Sequence, residues 1–484
     1  MQQLKQRTLA TAIVAIACIL IGTGTVGVII FVGHNGTDGH LGAINRAPTD
    51  PPTVVINRAP TETPTPLPAG NDWTQYRFDV YGTGMNSEGR ILATNVTQLS
   101  KRWTYSSFSP FESTPAIVNG VAYIPNGNNL YAFDLSTGKK LWSFQGIPQK
   151  FASISSSVAV DPKSHLAYYG TPDARVYAIN TLTGTEVWNI QLGDPNAGAF
   201  IWSSPLLVNG KVYIGLASHN DNPCVRGGVF ALDPTTGKVI WRHYMVPSGS
   251  LGGTVWSSLI ANPGRHELIA TTGNPCPNGT VYAQADAFVA MDWDTGATRW
   301  QYTALASDYC DCDFGEGAVD YIYHGHEYIV AGNKYGMVYA LTPPTANQGV
   351  RLAWSIRITG AGYLGGGGIF EPPTYSNGIV FVAGGPTLDG TCHSGALYAF
   401  QADTGATLWR VCTAGQVVSP ASTTGDVLFV AQQDVLVAYD PTTGHVLWQA
   451  AQSGAAWGGV SISRGSVVVG TVSGKLYCYS LPVV

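Results

Sequence analysis

From about residue 100 to the end, short apolar runs alternate with polar, glycine-bearing corners, and the same phase keeps returning. Apolar residues at every second position, bounded by turn residues, predict β-strands rather than helices. The clearest marker of phase is a strand ending in Tyr-Ala-x-Asp, a Thr-Gly corner, and a second strand that carries a tryptophan. It reads YAFDLSTGKKLW at 131–142, YAINTLTGTEVW at 177–188 and FALDPTTGKVIW at 230–241. It returns as VAMDWDTGATRW at 289–300, YAFQADTGATLW at 398–409 and VAYDPTTGHVLW at 437–448. A divergent copy, YALTPPTANQGVRLAW, occupies 339–354.

Each copy predicts a β-hairpin, with glycine at a tight corner where a Cβ would clash. Two more apolar segments precede each hairpin, as in STPAIVNG (113–120) and VAYIPNG (121–127). Four strands per repeat, repeated in register, is the content of a β-propeller blade. Seven of the tryptophans follow a Tyr-Ala-like strand; Trp103, in KRWTY, does not. Conversely KLYCYSLP at 475–482 has the strand and no tryptophan after it. The two halves complement each other, so the expectation is an all-β, eight-bladed propeller of four-stranded blades. The Trp103 strand completes the last blade, and closure removes exposed sheet edges.

Trp-to-Trp spacing is 39 residues from Trp103 to Trp142 and from Trp409 to Trp448, but 53 from Trp188 to Trp241 and 59 from Trp241 to Trp300. A blade needs only the shorter length. The surplus must lie in loops, where a rigid scaffold displays function, which points to the third to sixth blades.

The N-terminus reads differently. After Lys5 and Arg7, residues 9–32 carry no charge, a run long enough to span a bilayer. We expect residues 1–8 to be a cytoplasmic tip and 9–32 a transmembrane signal-anchor, placing the propeller outside the cell membrane. A cleaved signal peptide, or a lipoprotein signal ending at Cys18, is the alternative, but the apolar run continues past Cys18. Residues 33–72 are rich in Pro and Thr and repeat INRAPT, as an extended, disordered linker would. Residues 73–99 are a lead-in to a propeller at 100–484.

Charged residues make up 11% of the chain and the net charge is −5, with no basic run, which argues against a nucleic-acid partner. Eight cysteines suit an oxidising compartment. Cys392 and Cys412 lie symmetrically about a hairpin tip and should pair; Cys224 and Cys276, each before a third strand in neighbouring blades, are candidates for a second bridge. Cys310 and Cys312 fit no metal pattern, Cys478 reads as a core residue, and no CxxCH is present to attach a haem.

With its docking tryptophans, the repeat resembles that of the eight-bladed quinoprotein dehydrogenases, which bind pyrroloquinoline quinone (PQQ) on the propeller axis. Four segments carry the resemblance further. GGTVWSS (252–258) is similar to the segment whose Trp forms the floor under the quinone, which implicates Trp256. ATTGNPCP (270–277) resembles the stretch whose Asn ligates calcium, implicating Asn274. CDCDFG (310–315) resembles the segment bearing the catalytic base, implicating Asp313, which would also face the metal. VAGNKYGMVYAL (330–341) resembles the strand entry whose Lys or Arg contacts the quinone oxygens, implicating Lys334. The polyvinyl-alcohol type is the nearest in pattern. The resemblance implies PQQ and calcium as cofactors, a small or polymeric alcohol as substrate, and an external electron acceptor.

Two departures stand out. Where the family places a calcium-binding Glu, SHNDNPCVRG (218–227) has Asn222, with Asp221 beside it. Where some members carry adjacent cysteines against the quinone, ISSSVAV (154–160) has only serines. The rival expectation is a cofactor-free propeller acting as a scaffold or binding module. An axial cavity uniting Trp256, Asn274, Asp313 and Lys334 favours the first reading; a side-chain plug favours the second.

Overall fold

The computed structural model describes residues 72–146, 153–306, 308–362 and 366–482. The expected cytoplasmic tip, membrane helix and all but the last residue of the linker lie outside them, as does Cys18. Among the described residues no helix is long and apolar enough to cross a membrane.

Eight antiparallel blades of four strands follow one another along the chain, the third carrying Ala199–Phe200 as an extra fifth strand and a two-stranded ribbon, Leu251–Gly252 with Pro275–Cys276, lying beside the set. We number them blades 1 to 8, spanning 116–145, 159–191, 206–244, 260–303, 319–357, 374–412, 422–451 and, for the last, 461–480 plus Ser100–Ser106. Ser100–Ser106 pairs with Lys475–Ser480, with Trp103 opposite Cys478, so the ring closes by the expected exchange of the chain's two ends. First strands of neighbouring blades touch around the centre, blade 8 meeting blade 1. In such a meander the links between second and third strands, and from each fourth strand to the next blade, emerge on one face. We call it the loop face.

The repeat motif is a blade-to-blade lock. In blades 1 to 3, 5 and 6 the indole N–H of Trp142, Trp188, Trp241, Trp354 and Trp409 donates at 2.9–3.1 Å to a carbonyl in the next blade's hairpin corner. Trp103 does the same to Leu135 of blade 1. Against the same rings lie the Thr-Gly glycines. A Cβ at Gly138, Gly184, Gly237, Gly296, Gly405 or Gly444 would fall 2.5–2.8 Å from the indole, and all have φ near +70°. Only glycine satisfies both conditions. The corner is fixed from within by its acid: Asp134 Oδ1 accepts from the Thr137 backbone N–H at 2.8 Å and from its hydroxyl at 2.7 Å.

The lead-in turns out to be part of the ring. Residues 73–86 bond to the first strands of the blades in order: Trp73 to Ile117, Thr74 to Val160, Gln75 to Leu207, Val80 to Ala261, Tyr81 to Asp320, Thr83 to Tyr375, Gly84 to Thr423, and the Asn86 side chain to Ile462. Since those strands encircle the axis, the segment curls around it. Arg77 reaches across the middle to the carbonyls of Ala421 and Pro373. Buried Glu316 and Glu371 lie close enough to the guanidinium to feel its charge.

Candidate functional site

Every residue singled out by sequence sits on the loop face, in blades 3 to 5 or their connections. Two backbone devices bring them together. Lys334 N–H donates to the Asp313 carbonyl at 2.8 Å beside a β-bridge between Phe314 and Asn333, which sets the two side chains next to each other. Gly273 N–H donates to Thr254 O at 2.7 Å, and a Cβ on Gly273 would come within 2.4 Å of Thr254 Oγ1 and 2.9 Å of Asp313 Oδ2. The glycine before Asn274 is therefore what lets the carboxylate approach.

Asp313 is the centre. It is 2% exposed. Its Oδ2 accepts the indole N–H of Trp256 at 2.9 Å, and its Oδ1 lies 2.5 Å from Lys334 Nζ. That second contact is a buried ion pair, so both carboxylate oxygens face an N–H group of the protein. The Lys334 ammonium also stands 4.9 Å from the centroid of the Trp256 ring, whose face is half-exposed. Burial alone would lower the lysine's pKa, but the charges of Asp313 and Asp311 outweigh it and raise the value above the usual range.

Asn274 is 5% exposed, and its amide donates to Asp221 Oδ2 at 3.2 Å and to Asn278 Oδ1 at 3.4 Å. Asn222, expected to hold the metal, lines a separate cavity instead. Its neighbour Asp221, on the loop between Ser218 and Gly228, is the residue that reaches Asn274. The Cys224–Cys276 disulfide ties this loop to the one bearing Asn274. Cys392–Cys412 forms too, as expected.

Sequence reasoning missed Asp311 and the bridge around it. Cys310 and Cys312 are joined to each other. Both their backbone N–H groups donate to Asp308, at 2.8 and 2.7 Å. Asp311, held between them at φ +53°, puts its carboxylate 2.7 Å from Lys334 Nζ. The available signal was a Cys-Asp-Cys beside two more acids. Burial, and then the charge of Asp313, pushes the Asp311 pKa up to about 7. Burial and the same charge push Asp286 up to about 9, and its Oδ1 is buried without a partner.

The chemistry of this donor set is legible. Asp313, Asn274 and Asp221 offer oxygen ligands of the kind a hard divalent cation takes. One lysine faces two carboxylates, Asp311 and Asp313, with Asp221 and Asp286 nearby, so the site holds more acidic groups than basic ones. The partly exposed indole, with the Lys334 ammonium over its ring 4.9 Å from the centroid, offers an aromatic surface and a cation to a planar anionic ring. The residues fit both groups.

Residues 73–346 match the PQQ family, described as glucose/ethanol/alcohol dehydrogenase, β-propeller domain. The chain belongs to this family. Residues 325–481 also match the family of the outer membrane protein assembly factor BamB. Polyvinylalcohol dehydrogenase of Sphingopyxis sp. (strain 113P3) is 23% identical over 488 residues, covering 86% of this chain and 73% of that protein. Quinohemoprotein alcohol dehydrogenase ADH IIB of Pseudomonas putida is 29% identical over 284 residues, 50% of this chain. The match spans 41% of the length of that relative, and 40% of the Comamonas testosteroni quinohemoprotein alcohol dehydrogenase. The solved structure of the quinohemoprotein alcohol dehydrogenase from Comamonas testosteroni superposes with a TM-score of 0.73 at 20% identity, covering 85% of this chain and 80% of that one. BamB from Moraxella catarrhalis superposes at 0.57 with 16% identity, over 79% of this chain and 99% of that one. These likenesses establish the fold.

Proposed function

We propose that this chain is an alcohol-oxidising quinoprotein that uses PQQ and calcium, held at the outer side of a membrane by its charge-free run at 9–32. The observation that carries the reading is the buried Asp313 carboxylate, clamped between the Trp256 indole N–H and the Lys334 ammonium. When bound, PQQ supplies a two-electron acceptor and calcium a Lewis acid that polarises it. The chain's own residues do the rest. Trp256 orients a planar ring by its exposed face. Asp313 takes the hydroxyl proton of the alcohol, its carboxylate held in place by the Trp256 indole and the Lys334 ammonium. Lys334 stabilises developing negative charge, with Asp311 holding it in place. Asn274 and Asp221, with Asp313, would hold the cation, and the reaction class calls for an external electron acceptor.

Reconstitution tests this directly. The purified chain with PQQ and calcium should reduce an acceptor dye when given simple alcohols, and PQQ should quench tryptophan fluorescence at micromolar concentration. Absence of quinone binding in that range ends the proposal. The match of 325–481 to the BamB family and the reach of Arg77 across the middle of the ring favour a second reading, a non-catalytic scaffold. Under it, an Asp313→Ala protein keeps every cellular phenotype of the wild type.

A further inference from the structure

A cavity of about 300 Å³ opens on the loop face between blades 2 and 3, outside the central site. It lies between the links 195–200 and 219–223, and no Asp, Glu, Lys or Arg lines it. One wall is the exposed His219 ring, packed on buried Phe200 at 4.8 Å between centroids and parallel to Trp202 behind it. The other groups are side-chain amides, from Asn196, Asn220 and Asn222. The Asn222 amide has no hydrogen-bond partner among the described residues.

The walls are built to stay in place. His219 N–H donates to Gly198 O at 2.8 Å, and the Trp202 indole N–H to Ser218 O at 2.9 Å. Gly198, at φ +91°, touches Pro223, where a Cβ would meet the carbonyl at 2.8 Å. The disulfide at Cys224 fixes the next residue.

We propose that this cavity binds the non-reacting, hydroxyl-bearing part of an uncharged polyhydroxylated substrate, a polyol or a segment of a hydroxylated polymer. A charged ligand would find no group of opposite sign among the lining residues. Amides both donate and accept, as hydroxyls do, and the exposed His219 ring can cover the carbon backbone between them. The volume lies at the lower end of those that hold small molecules, about 300–1,000 Å³. Position gives the cavity its use. Asn222 lines it while its neighbour Asp221 reaches Asn274 in the central site, so the two pockets share one strip of backbone. The assignment of the cavity as a substrate subsite rests on the alcohol-oxidising reading; its binding of polyols does not.

The experiment has two arms. Titration calorimetry of a hexitol and of 1-propanol into the chain without cofactor measures binding alone. Wild type should bind the hexitol, and His219→Ala and Asn196→Trp, at exposed loop positions, should each weaken it about tenfold. The second arm assays the protein reconstituted with PQQ and calcium. Each variant should raise KM for the hexitol about tenfold and leave KM for 1-propanol within about twofold. Hexitol binding that neither variant moves overturns the proposal, as does an equal loss for both alcohols. If binding responds as expected and no alcohol is oxidised, the site stands and the enzymatic reading falls.

Discussion

Two junctions of the ring make an instructive contrast. Between blades 6 and 7, the Trp409 indole N–H donates to Pro441 O at 3.0 Å and the ring lies on Gly444. Between blades 4 and 5 this device is missing, because the blade 5 hairpin has no Thr-Gly corner. There Trp300 turns back on its own blade and donates to Glu267 at 3.1 Å. Polar groups take over the joint. Arg265 donates to Pro344 O at 3.2 Å and stands 3.8 Å from Glu327, while the Asn262 amide donates to Asp320 and Glu327 at 2.8 Å. On the loop face of this same pair of blades lie Asp313 and Lys334. One packed ring on one glycine is enough where a blade has only to be held. Where the hairpin departs from the repeat, a charged network holds the joint instead.

The largest expected effect separates chemistry from architecture. Asp313→Asn should cut alcohol oxidation by about a thousandfold in the reconstituted protein. Its thermal midpoint should stay near wild type, because Lys334 keeps Asp311 at 2.7 Å. Trp409→Ala should do the opposite, costing about 3–5 kcal/mol in denaturant unfolding through lost packing between blades. If Asp313→Asn unfolds the protein as readily as Trp409→Ala does, the division between the two regions is wrong.

Gly444→Ala tests the regular joint from its other side. A methyl group would meet the Trp409 ring at 2.8 Å with the backbone at φ +73°, and a loss of about 1–3 kcal/mol is expected. Arg265→Met at the irregular joint should cost less, about 1 kcal/mol, and the cost should shrink in high salt because the arginine is partly exposed. A salt-independent loss would mean that the joint is held by packing after all.

The smallest effect is one of pH. Burial pushes Glu371 up to about 8, above its unfolded value, so the folded state holds this proton more tightly. Its contribution is fully present below the unfolded pKa, near 4.5, and is lost as pH rises through about 8. Glu371→Gln should therefore flatten the fall in thermal midpoint between pH 6 and pH 9. An unchanged slope would locate that fall elsewhere, with Glu316 next in line because burial raises it in the same way.

The architecture was open to reading because each lock is written locally: an Asp, a Thr-Gly and a Trp within a dozen residues, in phase. The swap of chain ends could be inferred from Trp103 and the unfinished strand at 475–480. The site was open only in part. Asp313, Lys334, Trp256 and Asn274 announced themselves through family segments. Asp221 did not, because an irregular loop decides which of two neighbouring side chains faces inward. Asp311 did not, because nothing in a Cys-Asp-Cys says that it closes on itself. The lead-in was invisible for another reason: its bonds use mostly backbone atoms, which leave no pattern in side chains.

That lead-in has a bearing on how the propeller assembles. The stretch at 73–86 precedes every blade in the chain, yet it has a partner in each of the eight. During synthesis it waits, incompletely matched, until the last blade emerges, and that blade in turn needs a strand made near the beginning. Stability is thus withheld until the whole ring is present, and no subset of blades can be excised without leaving part of this thread unbound.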